Sequence, residues 1–144
     1  MKNLFLIAVI AGERIVLAAD DVESVVEIEA ITPVPRLAAH VAGLAALRSR
    51  VLTMIDCRAA LGFGVSPREG VLAAVVVTVE GYSYGLLVDQ VDDVATIDGE
   101  PVPIGGAMAP GWAHAGRAMV PIDDEVLLLV DPAALVSGLA SAAA

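Results

Sequence analysis

The chain repeats itself, and this limits its fold more than any single motif does. Displaced by 69 positions, Gly12 falls on Gly81, Leu17 on Leu86, Asp20 on Asp89, Val22 on Val91, Val25 on Val94 and Ile28 on Ile97. Displaced by 75, Val51, Leu52, Ile55, Asp56 and Ala59 fall on Val126, Leu127, Val130, Asp131 and Ala134. A short insertion between the halves of the repeat accounts for the two displacements. The 144 residues therefore read as one domain of two similar lobes, about 3–62 and 71–138.

Each lobe is built from short strands. Leu4 to Ile10 and Arg14 to Ala18 flank a turn at Ala11-Gly12-Glu13, and Val71 to Val79 and Tyr82 to Val88 flank Glu80-Gly81, so each pair reads as a hairpin. Their apolar runs are too continuous for a half-exposed sheet and predict strands covered on both faces. Val25 to Ile28 and Val94 to Ile97 resume the strand pattern. Asp56 predicts the N-cap of a helix Cys57 to Leu61 closed by Gly62, and Asp131-Pro132 opens a second that stops near Gly138. The fold class is all-β: two pseudo-symmetric small closed barrels with short helices, because closure removes exposed sheet edges.

Composition removes several functions. Eight Lys and Arg against eighteen Asp and Glu give a net charge of −10, which phosphate backbones and anionic membranes repel, so no nucleic acid is expected as a partner. The apolar runs fall short of the roughly 18 residues that cross a bilayer, so direct membrane insertion is not expected. Met1, Lys2 and the apolar run before Glu13 have the look of a weak secretory leader with a cleavage site near Ala11. Against that, the same segment has a second copy inside the chain. Cys57, the single cysteine, excludes an internal disulfide and fits a reducing, cytoplasmic setting.

Catalytic chemistry is missing. Two Asp after apolar strands suggest an aspartic protease, but Asp56-Cys57-Arg58 and Asp131-Pro132-Ala133 lack the Thr/Ser-Gly that follows such a carboxylate and read as helix caps. Cys57, at a helix N-terminus, is either a nucleophile of a small hydrolase acting with Asp56 or a small buried apolar residue; no histidine context supports the nucleophile. His40 and His114 lack metal-ligand spacing, Gly105-Gly106 precedes no Lys-Ser or Lys-Thr, and Asp92-Asp93 and Asp123-Asp124 lack calcium-loop spacing. No metal or cofactor is expected. Trp112 is either an interface anchor or a lobe-packing residue.

Ile31-Thr32-Pro33-Val34-Pro35, followed by Val41 to Arg58, closely resembles the core of the CheW-like family of bacterial chemotaxis coupling proteins. That core runs as a Pro-containing segment, Gly, apolar, Asn-Leu-Arg-Gly, apolar, Pro, apolar, Asp-Leu-Arg. Tyr84 to Val91 resembles the family's Gly-apolar-apolar-Val-Asp-x-Val signature, and Val126 to Asp131 its closing strand. The resemblance extends from about Phe5 to Val136. It implies two intertwined five-stranded, SH3-like barrels and a non-enzymatic adaptor. Such an adaptor joins the cytoplasmic tip of chemoreceptors (methyl-accepting chemotaxis proteins) to the regulatory CheW-like domain of the histidine kinase CheA, or binds that domain in a receptor-independent role.

By resemblance, Val22, Val25, Arg48 and Val91 match receptor-binding positions in an apolar groove between the lobes, and Ile31 and Val34 match kinase-binding positions at a barrel end. Gly43, Asp56, Gly85, Asp89 and Asp131 read as structural turns and caps. The family's Asn is Ala46 here, its Gly after Arg is Ser49, its Pro is Thr53 and its Leu after Asp is Cys57. Ser49 enters positive φ less freely than Gly, so Arg48 is expected to be presented differently from the family's arginine. Residues 98–111 match nothing in the family closely.

Overall fold

A computed structural model describes residues 2–98 and 100–138. The first repeat supplies β1 (Lys2–Ile10), β2 (Glu13–Ala18), a 3-10 turn (Ala19–Asp21), β3 (Val22–Ile28), β4 (Val41–Leu47), β5 (Arg50–Asp56) and α1 (Cys57–Ala60). The second supplies β6 (Leu72–Val79), β7 (Tyr82–Val88), β8 (Gln90–Asp98), α2 (Pro110–Ala115), β9 (Gly116–Ile122), β10 (Glu125–Val130) and α3 (Pro132–Ser137). The segment resembling a leader is β1, paired on both sides by β2 and β8.

The strands form two five-stranded sheets, ordered β8-β1-β2-β10-β9 and β3-β6-β7-β5-β4. Each sheet combines the opening hairpin of one repeat with three strands of the other, so the repeats are intertwined and the sequence lobes are not the sheets. The repeat carries into register: Phe5 pairs with Ala95 as Ala74 pairs with Val26, and Val16 with Leu129 as Gly85 with Met54. The repeats join through parallel pairs, β2 with β10 and β7 with β5.

Alternation explains the continuous apolar runs. On β6, Ala74 and Val76 enter a core enclosed by their own sheet with Ile28, Leu52, Met54 and Leu87, while Val75 and Val77 enter the core between the sheets. On β1, Phe5 and Ile7 fill the other sheet's interior with Val16, Val120 and Leu129, and Leu6 and Ala8 meet the shared core. A strand buried on both faces needs apolar residues at every position, and each large aliphatic side chain so buried contributes about 1.5–3 kcal/mol. Exchange of the hairpins therefore ties both sheets to one shared core.

The predicted caps are present. The Asp56 carboxylate accepts from the Ala59 N–H at the start of α1, and that of Asp131 from the Ala133 N–H at the start of α3; Gly62 and Gly138 follow these helices at positive φ. Helix α2 is absent from the sequence reading. Its N-cap is Ala109, with no side-chain cap bond, and Pro110 at the first turn is its main local signal. It lies within the insertion that lengthens the second repeat.

Candidate protein-docking site

Asp56 is fully buried and serves structure. Its carboxylate accepts from the Ser66 N–H (2.8 Å), the Ser66 hydroxyl (2.6 Å), Arg68 (2.8 Å) and the Ala59 N–H (3.3 Å). Burial pushes this carboxyl upward, but the Ser66 hydroxyl and N–H, then Arg68 and Ala59, outweigh it and hold it below the ordinary aspartate value. Ser66 and Arg68 sit in an irregular loop, where no periodicity announced them; the only sequence signal was that an Asp ending an apolar strand requires partners. Cys57 is buried, and its burial, with Asp56 and Asp89 nearby, pushes the thiol far up, so the thiolate a nucleophile needs is suppressed. His40 is buried with Nε2 2.7 Å from the Val136 carbonyl, tying the turn before β4 to α3. Among the described residues, no group of three His, Cys, Asp or Glu could hold a metal ion. No described helix is long and apolar enough to cross a membrane.

Docking geometry lies elsewhere. A groove of about 380 Å³ runs between edge strand β3 and the β4–β5 turn, lined by Ser24, Val25, Val26, Leu47, Arg48, Ser49 and Arg50. It brings two predicted receptor positions together, Val25 at 47% exposure and the exposed Arg48. Arg50 at its rim is held by Glu23 (2.5 Å), and Glu23 also accepts from Ser83 (2.8 Å) and Thr78 (2.9 Å). Those bonds, Arg50 first, hold the Glu23 carboxyl down to about 2. Arg48 has no ion pair among the described residues, which leaves one uncompensated cation beside an exposed valine. The left-handed residue of this turn is Arg48 itself, at φ 56°, and Ser49 is not at positive φ. Leu47 pairs with Arg50, so the turn needs a left-handed residue at its first position, which Arg48 occupies.

The remaining predicted residues separate. Val22 and Val91 are half-buried against the core between the sheets, on β3 and β8 of different sheets, and do not line this groove. Ile31 packs on the interior core of the second sheet, and Val34 is exposed beside it in sequence at 37%. Gly85 lies within β7, where a Cβ would stand 2.5 Å from Met54 Sδ, so it is a packing glycine and not a turn. Gly43 likewise lies in β4, beside a bulge, and a Cβ there would stand 2.2 Å from the Thr32 carbonyl oxygen. Asp89 caps no helix; it accepts from the Gly12 N–H (2.8 Å) and from Arg58 (3.1 and 3.2 Å), pinning the β1–β2 turn to α1. Trp112 packs on the shared core and lies 5.9 Å, ring to ring, from Phe63.

Two intertwined five-stranded sheets, with buried and surface carboxylates engaged in caps and hairpin ties, thus carry an open groove in which Val25, Val26 and Leu47 lie beside polar residues and the unpaired Arg48. The chain belongs to the family of CheW-like domains, which matches residues 4–140. It is 29% identical over 101 residues to the chemotaxis protein CheW of Rhizobium meliloti (strain 1021), a match spanning 69% of this chain and 65% of that protein. It superposes on the crystal structure of the scaffolding protein TtCheW from Thermoanaerobacter tengcongensis with a TM-score of 0.77 and 25% identity, covering 91% of this chain and 90% of the other.

Proposed function

We propose that the chain is a cytoplasmic adaptor that couples the tip of a chemoreceptor to the regulatory CheW-like domain of the histidine kinase CheA. The observation carrying this reading is the groove between β3 and the β4–β5 turn, where Val25 and Arg48 meet. An amphipathic receptor helix would set an apolar side chain against Val25 and an acidic one against Arg48. Val22 and Val91 act from behind, through the seating of β3 and β8 on the shared core. Ile31 and Val34, in the segment between β3 and β4, form the kinase-facing end.

The test measures two affinities, for a receptor-tip fragment and for the kinase regulatory domain. Arg48→Glu reverses the unpaired charge, and Val25→Asp places a carboxylate on an apolar contact, a loss of about 1.4–3 kcal/mol or roughly ten-fold or more in affinity. Both side chains are exposed, so both variants should fold, whereas Val22→Asp would disturb the shared core. Receptor binding should weaken in both while kinase binding stays within about two-fold. Variants that bind receptor like the wild type refute the site. A chain that binds the kinase but no receptor is a receptor-independent module, and the coupling role is then wrong.

A further inference from the structure

The groove at Val25 and Arg48 has a counterpart in the other repeat with the same backbone and the opposite charge. Displaced by 69, Val25 falls on Val94, and displaced by 75, Arg48 falls on Asp123. Val25 lies opposite Val75 on β6 and Val94 opposite the equivalent Leu6 on β1, and the two valines are 47% and 51% exposed. Leu47 pairs with Arg50 across the β4–β5 turn as Ile122 pairs with Glu125 across the β9–β10 turn. Arg48 and Asp123 enter the left-handed region alike, at φ 56° and 52°. Even the bulge recurs: the pairing of β3 skips Glu23 and that of β8 skips the equivalent Asp92. Each bulged carboxylate is tied to its turn, Glu23 through Arg50, and Asp92 through Arg14, which also pairs with Glu125.

The charge is what changes. Ser24, Arg48, Ser49 and Arg50, which line the groove, become Asp93, Asp123, Asp124 and Glu125. Asp123 and Asp124 are exposed, and among the described residues their side chains have no ion pair. Asp93 accepts from the Val94 N–H (2.7 Å), which holds its carboxylate beside the exposed valine. Given the receptor-binding role proposed above for the Arg48 groove, on which this rests, we propose that these carboxylates decide which of two equivalent surfaces takes the receptor. They repel the acidic amphipathic helix that the Arg48 groove accepts, so the chain binds a single receptor tip, through its first repeat. Backbone and apolar anchor do not separate the two surfaces, since Val94 stands where Val25 does. Discrimination between them therefore needs a repulsive element, and like charges brought together at a rim supply it. Asp93, Asp123 and Asp124 are specificity residues that act by keeping the helix off.

The test is the number of receptor-tip fragments bound per full-length chain, read by isothermal titration. The wild type should bind one. Asp93→Ser with Asp123→Arg and Asp124→Ser copies the first lining onto the second, and Arg48 shows that an arginine is accepted at this left-handed position. The triple variant should bind two fragments. Adding Arg48→Glu should return the number to one, and adding Val94→Asp as well should weaken that remaining binding at least ten-fold. Asp123→Asn with Asp124→Asn removes charge alone, at a position whose left-handed backbone Asn tolerates, and should gain a second, weaker binding event. Each variant is checked for native circular dichroism. A wild type that binds two fragments, or natively folded variants that still bind one, would overturn the proposal while leaving the Arg48 groove in place. A wild type that binds no fragment, or one whose binding Arg48→Glu leaves unchanged, would refute the groove itself as the receptor site, and the proposal with it.

Discussion

Asp56 and Asp131 occupy equivalent places in the repeat and cap equivalent helices, yet replacing them by Ala should have unequal cost. Asp131 is 37% exposed at its side chain, accepts from the Ala133 N–H (3.1 Å) and pairs with Arg117 (2.7 Å) at the surface. Its loss removes a cap and a screened ion pair, about 1 kcal/mol. Asp56 is 0% exposed and in addition holds the Ser66 N–H, the Ser66 hydroxyl and Arg68. Each hydrogen bond to a charged acceptor contributes about 1.5–3 kcal/mol, but the hydroxyl can rotate and Arg68, itself 32% exposed, can turn to water. With the regained desolvation of the carboxylate set against this, about 3 kcal/mol is expected. For 144 residues the unfolding entropy is about 0.3 kcal/mol/K, so Asp56→Ala should lower Tm by about 10 °C and Asp131→Ala by about 3 °C. Because the folded Asp56 carboxyl is held below its ordinary value, its stabilisation is present above about pH 4 and is lost as pH falls further. Denaturant unfolding of both variants and the wild type at pH 7, 5 and 3 checks this. Equal costs at pH 7, or an Asp56→Ala difference that does not shrink at pH 3, would refute the reasoning.

Side-chain carboxyl NMR should find Glu23 titrating near 2, and Arg50→Ala should move that midpoint up towards ordinary glutamate, since Arg50 is the largest cause; an unmoved midpoint contradicts the network. Gly43→Ala should cost more than Gly85→Ala, as a Cβ at Gly43 (φ 140°) meets backbone at Thr32 whereas one at Gly85 meets the flexible end of Met54. About 1–3 kcal/mol is expected at Gly85 and more at Gly43, with chemical unfolding as the measurement. Cys57 should react with a thiol reagent only on the timescale of unfolding, and a native-state reaction at the rate of a free thiol would show that it is not sealed in the core.

Strands were legible wherever pattern is local. The hairpin turns at Gly12 and Gly81, the Asp caps of α1 and α3, and the double-sided burial of β1 and β6 all follow from residue type and spacing. The exchange of hairpins is not local: β1 carries the same alternation whether its outer neighbour comes from its own repeat or the other, and only the family resemblance implied intertwining. Helix α2 was illegible because Ala109 gives no side-chain cap, Pro110-Gly111 reads as a turn, and six residues are too few to show a helical period. Of the candidate site, Val25 and Arg48 come together because β3 and the β4–β5 turn are edges of one sheet. Val22 belongs to the same strand but packs on the shared core, a distinction that apolar identity alone does not carry.

The coupling role is tested most directly by a three-component retention experiment. The kinase regulatory domain is immobilised, and a receptor-tip fragment is passed over it with and without the chain. The receptor fragment should be retained only when the wild-type chain is present, and its retention should fall at least ten-fold with Arg48→Glu although that variant itself still binds the column. Retention of the chain without any receptor fragment, or equal retention with Arg48→Glu, would contradict the account.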